Sequence, residues 1–502
     1  MITPPSTIMR NIKITENNRG SMLVAVLVAM GLFMTLTVGS ISLALLQQKL
    51  NIRKVANAQA LHVAEAGVNY YRWVLYHDHD DYCNTGAGES CIGGPNYGPY
   101  GPYSYADELG TVIGYYELYI TPPPTNGSTV VNIKSVGWVA DFPNIKRTIE
   151  VKCGIPSWST YATMTDGTDG DLGYGVGSEV WGPIHCNYGC VDFDGIANHI
   201  VTSSQAGCGL DFGVNTAADA NWDGNDPPQN LPVPERVNFR GGRDMGSHIP
   251  IISFNLLNTE YMNSTYSKAT TSGLLIDPRD VGTADPYSLL AYRGCLSAGT
   301  CLYGFHVTFK TGNKFDLRTV SAIEANVDGY FSCGIQTQSA PIEYNVPDNG
   351  IIFIKHTVWV DGQAENGASG TRATILAFKD PIAGNGDADI CINSDITYTN
   401  NDGTDSFGLI AQRNVIIGAY AEDDLEIHAA LLAKTGHRWC PYTLSPIKNR
   451  LAIYGATASY LRPQTSGCFT NREYHYDNNL TFSPPPHYPT TGEYTFISWK
   501  EE

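Results

Sequence analysis

The sequence predicts an α+β chain that is mostly β: one long N-terminal helix, a small β meander, and a large β-rich ectodomain with a segment resembling a right-handed β-helix. Three observations predict it. Residues 21–48 contain neither a charge nor a proline. From Lys49 to His77 apolar residues recur every three to five positions, the spacing of an amphipathic helix. Charged residues make up only 16% of the chain, Gly (51) and Tyr (30) are abundant, and Lys and Glu thin out after residue 80. That composition suits strands joined by Gly, Pro, Asn and Asp turns. A length of 502 residues predicts two to four domains.

The segments follow in chain order. Residues 1–20 form a basic leader. The uncharged run Ser21–Leu46 covers 26 residues, about 39 Å of helix against a hydrocarbon core of roughly 30 Å. It exceeds the apolar core of about 7–15 residues in a cleaved secretory signal. A plain membrane anchor, or a leader cut on the cytoplasmic side before the apolar run, remains. Residues 21–77 are predicted as one helix. Leu50, Val55, Ala58, Leu61, Ala64, Val68 and Tyr71 form its packed face, and Tyr70, Tyr71 and Trp73 lie beneath the first β domain. In 78–154, a Gly/Pro/Tyr-rich loop running to about residue 105 precedes strands Val112–Ile120, Thr129–Val139 and Lys146–Cys153, whose period-two alternation predicts an antiparallel meander. Residues 155–340 read as a β-rich domain. Residues 341–460 read as stacked short strands, a β-helix or a sandwich. The Pro- and aromatic-rich tail, 461–502, is expected to lie extended along the body.

All twelve cysteines follow the apolar run and none lies in the first 80 residues. An even number confined to one side of a membrane segment indicates disulfides in an oxidising compartment. Cations flank the run equally (Arg10, Lys13, Arg19 before; Lys49, Arg53, Lys54 after), so orientation rests on the cysteines, which place the C-terminal side outside. Cys83–Cys91, Cys186–Cys190 and Cys295–Cys301 are the candidate local bridges. The chain has no CxxC pair, so a zinc site is not predicted.

A net charge of −18 repels phosphate backbones, and nucleic acid is not an expected partner. The motifs GxSxG, HExxH and GxxxxGK[ST] do not occur, and no enzymatic activity is expected. Asp192 and Asp194 share one face of a short strand and read as solvent-facing. The one metal candidate is Asp219-Ala-Asn221-Trp-Asp223-Gly224, which matches the first half of a Ca²⁺ loop. Asn230 stands where the bidentate Glu is needed, and Asp226 is the substitute, so the candidate calcium ligands are Asp219, Asn221, Asp223 and Asp226. Asp387-Ala-Asp389 and Asn401-Asp402-Gly403 with Asp405 are similar acidic turns, and such turns also occur without metal.

The junction Asn18-Arg19-Gly20-Ser21-Met22-Leu23 resembles the type IV prepilin pattern, a basic leader ending in Gly before an unbroken apolar helix. The resemblance implies cleavage by prepilin peptidase between Gly20 and Ser21. It departs from the common pattern at Ser21, usually Phe, and at Ala25, usually Glu. That Glu is thought to neutralise a neighbouring subunit's N-terminal amine, and an unpaired charge in a filament core is costly. The chain is therefore more similar to minor, tip or initiating pilins of the PilX-like and GspK-like kind than to a repeating subunit. Ala64-Glu65-Ala66-Gly67-Val68-Asn69-Tyr70-Tyr71-Arg72-Trp73 resembles a stretch of large pilin-like proteins from uncultivated bacteria. The resemblance implies other pilins and the pilus assembly machinery as partners, a single pass of the cytoplasmic membrane, and an exported ectodomain touching a surface ligand such as a polysaccharide or another cell. Two alternatives stand beside it: a membrane-anchored β-helix carbohydrate-active enzyme, which predicts a groove with two or three carboxylates, and a non-pilus envelope protein, which predicts an uncut N-terminus.

Overall fold

Helix α1 runs unbroken over Ser21–His77, 57 residues. The computed structural model describes residues 21–88, 90–91, 97–123, 128–175, 177–189, 191–193, 195–205, 239–278, 295–297, 300–327, 331–365, 370–379, 386–441, 447–465, 467–481, 483–490 and 493–501. The C-terminal part of α1 packs on an antiparallel sheet of β1 (Tyr97–Ala106), β2 (Val112–Thr121), β3 (Val131–Val139), β4 (Phe142–Gly154) and β5 (Thr495–Glu501), in the order β1-β2-β3-β4-β5. Alternate residues of the inner strands, among them Leu118, Ile120, Val131, Ile133, Ile149 and Val151, turn inward onto Val63, Val68, Tyr71 and Leu75 of the helix. This is the half-buried pattern that period-two sequences produce.

Two parts of this sheet were not expected. The Pro- and Tyr-rich stretch read as loop contains β1, which pairs with β2 from Tyr97↔Ile120 to Ala106↔Val112. Its prolines are tolerated because β1 is an edge strand with a neighbour on one side only. The other is β5, the end of the chain, which pairs antiparallel with β4 (Thr495↔Gly154, Trp499↔Val151). The chain thus leaves the sheet at Gly154 and re-enters it beside the same residue. The whole body between them is an insertion between two adjacent strands.

The body is built of short strands stacked in parallel, in three ladders among the described residues. The first runs through Leu274–Ile276, Ile351–Ile354, Arg372–Ala377, Ser406–Ala411, the end of Asp424–Ala433, the end of Lys448–Ser459, Thr163–Thr165, Ile184–Cys186, Val201–Ser203 and Arg243–Met245. One column of it reads Phe353, Leu376, Ile410, Leu432, Ala458, Met164. The second ladder stacks Val358–Glu365, Ile390–Ile392, Val415–Ile417 and Arg438–Trp439. The third carries Ile427, Ile453, Tyr474, Val180 and Ala197 in one column. Strands from either side of residue 340 share these ladders, and the tail contributes a rung of its own, Phe469–Tyr476, between Lys448–Ser459 and Ser178–Trp181. The tail is therefore part of the stack as well as a strap across it.

Residues on one face of each ladder meet in a common interior of Ile, Leu, Val and Phe. The outer face of the first ladder is apolar too. It is covered by α2 (Thr259–Thr271), Phe254, Trp158 and Tyr488. Near-continuous apolar runs such as IIFI follow from burial on both faces. Gly304–Thr311 joins Val358–Glu365 in parallel, and Lys314–Ile323 pairs antiparallel on its other side, so that edge of the stack is covered. On the third ladder Tyr454 stacks on His475 (4.5 Å between ring centres, 7° between planes) and His475 on Trp181 (4.2 Å, 6°). Their faces are turned onto one another, so this row braces adjacent rungs.

Candidate functional site

The feature with the clearest functional shape is α1. From Met22 to Val55 its large apolar side chains are uncovered: Met22 is 75% exposed, Phe33 74% and Leu46 55%. Three hydroxyls in this half bond back to the helix. Thr35 donates to Leu32 O (2.9 Å), Thr37 to Phe33 O (2.9 Å) and Ser40 to Leu36 O (2.8 Å). A helix bonds its interior backbone groups within itself, and these three hydroxyls add no unpaired donor, which suits passage through hydrocarbon. It is long and apolar enough to cross a membrane. Ser21 is its first helical residue. Gly20, on the other side of the expected cut, lies outside the described residues.

The packed face of α1 matches the expected one from Leu61 onward, where Leu61, Ala64, Val68 and Tyr71 pack on the sheet, and departs from it before that. Leu50 and Val55 are exposed, as is Ala58, whereas Ala56, Ala60, Val63, Ala64, Val68, Tyr71 and Leu75 are buried. The reason is close approach. A Cβ on Gly137 of β3 would stand 2.4 Å from the backbone nitrogen of Ala64 and 2.6 Å from Ala60 O; a Cβ on Gly67 would stand 2.4 Å from Ser135 Oγ and 2.7 Å from the Tyr116 ring. Helix and strand touch backbone to backbone, which small residues permit and leucines do not. The Ala-Glu-Ala-Gly phrase is thus a packing surface. Tyr71 is buried beneath the sheet and Tyr70 partly so, but Trp73 points away and is 58% exposed.

The end of α1 is locked to both the following loop and the returning strand. Cys83 and Cys91 are bridged. Asp81 accepts from the amides of Cys83 (3.2 Å), Thr85 (2.8 Å) and Gly86 (3.0 Å). Burial raises its carboxyl, but the amide donors outweigh that and the net shift is downward. Tyr71 Oη donates to Asp81 O (2.6 Å), Tyr494 Oη to His79 O (3.0 Å), and Arg72 Nε to Tyr494 O (3.3 Å). The Arg72 guanidinium lies over Phe496 at 4.7 Å. The rod, its disulfide-clipped loop and the closing strand meet at one joint.

A second anchoring point, not signalled by any motif, is Arg372. It is buried and donates to Gly403 O (2.8 Å) and to two carbonyls of the tail, Ser483 O (3.1 Å) and Pro484 O. Thr374 Oγ1 donates to Pro486 O, and Tyr261 Oη to His487 O (2.7 Å). The tail is held across the outer face of the first ladder by side chains that satisfy its carbonyls.

The other predicted residues fall as follows. The expected Cys186–Cys190 bridge is not formed at Cys186, which is a buried free thiol. Its strand, Ile184–Cys186, turns the side chain into the interior column with Thr165 and Ser203. Burial, which outweighs amide contacts from Gly189 and Tyr188, pushes the thiol up to about 12. Cys190 lies outside the described residues, as do the side chains of Cys295 and Cys301, although their backbones pair across two short strands. Cys153 is likewise free and buried. Among the described residues, two bridges were not expected: Cys333–Cys391, 58 residues apart, and Cys440–Cys468, 28 apart. Each links separate passes of the stack, so no local spacing announces it.

The candidate calcium ligands Asp219, Asn221, Asp223 and Asp226 lie outside the described residues, as do Asp194 and the side chain of Asp192. The other acidic turns have internal roles. Asp389 Oδ1 accepts from Arg413 Nε (2.9 Å) and the Asn414 amide (3.0 Å). Asp405 accepts from the amides of Thr371 and Asn400. Asp402 accepts from Thr404. Among the described residues no three His, Cys, Asp or Glu side chains gather as a metal site.

No protein-family model matches the chain, and no curated protein does. Among solved structures, it is similar to the crystal structure of the competence-associated pilin ComZ from Thermus thermophilus. The two share 12% identity, the likeness covers 89% of this chain and 97% of that chain, and the TM-score is 0.34.

Proposed function

We propose that this chain is a type IV pilin-like structural protein, anchored by α1 in the cytoplasmic membrane and carrying its β body outside. It acts there as a minor or tip component rather than as an enzyme. One observation carries the reading. A single 57-residue helix is bare and apolar over its first half and seated by Ala and Gly on an antiparallel sheet over its second. The bare half suits both a bilayer and the packed helices of a filament core. The body fits display, because it is inserted in the sheet by two adjacent strands and so follows the rod rigidly. Ala25 supports a minor role: without a carboxylate there, this chain offers no partner to a neighbour's amine. Its partners on this reading are other pilins and the assembly machinery.

The test is mass spectrometry of the protein's N-terminus from its native cells. The expected mature chain begins at Ser21, and Gly20→Leu leaves the leader attached. A mature chain that keeps residues 1–20, or that loses the apolar run, refutes the proposal.

A further inference from the structure

Two turns of the sheet point along α1 toward its bare half. Gly67 of the helix meets Ser135 of β3, and Ala60 and Ala64 meet Gly137, so β3 descends the helix toward Ser21 as it nears its end. Val139 pairs with Gly114 of β2 and with Phe142 of β4, which places the β1–β2 and β3–β4 turns together at that lower end. Both present large apolar side chains to solvent: Phe142 is 37% exposed and Leu109, between β1 and β2, 92%. Phe142 is shared by two clefts against α1. One, of about 480 Å³, is lined by Ala44, Ile52 and Val55 together with Gln and Asn side chains. The other, of about 860 Å³, is lined by Lys49, Arg53 and Lys146 with one carboxylate, Asp141.

The height of these groups along the rod is set by the sequence. The uncharged run ends at Leu46, and Lys49, Ile52 and Arg53 follow within about 4–11 Å of helix rise. A headgroup layer is roughly 5–8 Å deep on each side of the hydrocarbon, so the lower clefts stand at its level. The run is about 9 Å longer than the hydrocarbon is thick, and a helix takes up such an excess by tilting. Tilt toward the turns carries Phe142 deeper. Among the described residues Lys49 and Arg53 are exposed and have no ion-pair partner, while Lys146 lies over the Trp138 ring at 4.3 Å. The acids at this end are few. Asp107 accepts from the amides of its own turn, Leu109 (3.0 Å) and Thr111 (2.8 Å), Glu501 meets Arg147 (3.4 Å), and Glu108 and Asp141 are exposed.

We infer that the β3–β4 turn is a foot that rests in the outer headgroup layer of the membrane, with Phe142 among the upper acyl chains and Lys49 and Arg53 on the phosphates of anionic lipids. The inference deepens the proposed function and rests on α1 spanning the membrane with the body outside. An exposed apolar ring beside a membrane gains by entering the boundary between headgroups and acyl chains, and long cationic side chains at a helix end reach the lipid phosphates. A second copy of this chain is the other candidate occupant, and charge disfavours it. A copy at equal depth brings its own Lys49 and Arg53 to the same level, like charge against like. With the rod inside the bilayer and the turn resting on it, the sheet has two supports, and the body inserted in that sheet stands at a fixed angle to the membrane.

The test uses the full-length chain in nanodiscs of phosphatidylcholine mixed equally with phosphatidylglycerol, their acyl chains either plain or brominated near the ester. Fluorescence added by Phe142→Trp, relative to the unsubstituted chain, is expected to fall at least twofold in the brominated discs, and that added by Leu109→Trp to behave alike. Native mass spectrometry of the chain released from plain discs should show phosphatidylglycerol retained at least threefold over phosphatidylcholine. Lys49→Gln/Arg53→Gln should abolish that excess, and if this double variant melts early, Lys49→Gln alone should reduce it. Added fluorescence at position 142 that is indifferent to bromine, quenching that appears only when two copies share a disc, or a lipid excess undiminished in the folded variants overturns the inference. A chain that is cut at Ser21 in its native cells but shows no quenching overturns this inference alone. A chain that keeps residues 1–20 overturns the proposed function, and the quenching still decides the foot, because α1 enters the disc in either case.

Discussion

At the scale of single residues, the glycines of α1 separate what the helix does for the monomer from what it does elsewhere. Gly31 has nothing within 4 Å of where a Cβ would stand, whereas a Cβ on Gly67 would collide with Ser135 and Tyr116. Gly67→Ala is expected to destabilise the helix–sheet unit by about 1–3 kcal/mol, the usual cost of overpacking. Gly31→Ala should leave its melting temperature unchanged, as differential scanning fluorimetry in micelles would show. His356 is a second case. It is buried, and its pKa is lowered to about 3, chiefly by burial and then by Lys379. A depressed imidazole pKa means that the unfolded chain binds the proton first, so stability is complete above about pH 6.5 and falls as pH drops toward 3. Thermal melts from pH 7 to pH 4 should show a falling melting temperature, and His356→Gln should flatten that slope.

At the scale of elements, the passes of the stack are joined by covalent clips as well as by parallel pairing. Cys440–Cys468 closes a loop of 28 residues, and removing such a bridge typically costs about 2–5 kcal/mol. Cys440→Ser/Cys468→Ser should therefore lower the melting temperature of the body while leaving the sheet on α1 unchanged, which proteolysis followed by peptide mapping can resolve. A stable body in that double variant would show that the ladders suffice alone. The helix face teaches a related lesson. The apolar recurrence identified the element and the face at Ala64, Val68 and Tyr71, whereas Ala60 and Gly67 join the seat because helix and strand approach closely there. Strand β1 was hidden for the converse reason: its prolines argue against a strand unless the strand lies at an edge, and edge status is a property of the sheet.

At the scale of the whole molecule, the insertion topology decides how rod and body are coupled. Two adjacent antiparallel strands, β4 and β5, connect the body to the sheet, so the body is tied at both ends of its sequence. Ending the chain at Tyr494 removes β5 and leaves β4 as an edge. The amides of residues 149–154 that face β5 should then exchange at least tenfold faster, while protection within the ladders is retained. Hydrogen exchange with mass spectrometry checks this, and unchanged exchange in β4 would mean that β5 does not hold the junction. The tail's carbonyls on Arg372 and Tyr261 then remain as the second hold on the body.

The amino-acid sequence alone determined the long helix, the β character of everything after it, the antiparallel meander and the Cys83–Cys91 clip. Each is written in residues a few positions apart, through hydrophobic period, missing charge, turn composition or short cysteine spacing. Tertiary structure alone decided the rest: where along α1 the sheet begins to cover it, the Cys333–Cys391 and Cys440–Cys468 bridges, and the return of the tail into the sheet. These depend on neighbours remote in sequence. The hydrogen bond from Thr495 to Gly154 O spans 341 positions, and that from Arg372 to Ser483 O spans 111. No local pattern can encode such meetings, since the register of stacked strands is settled by the packing of their shared interior.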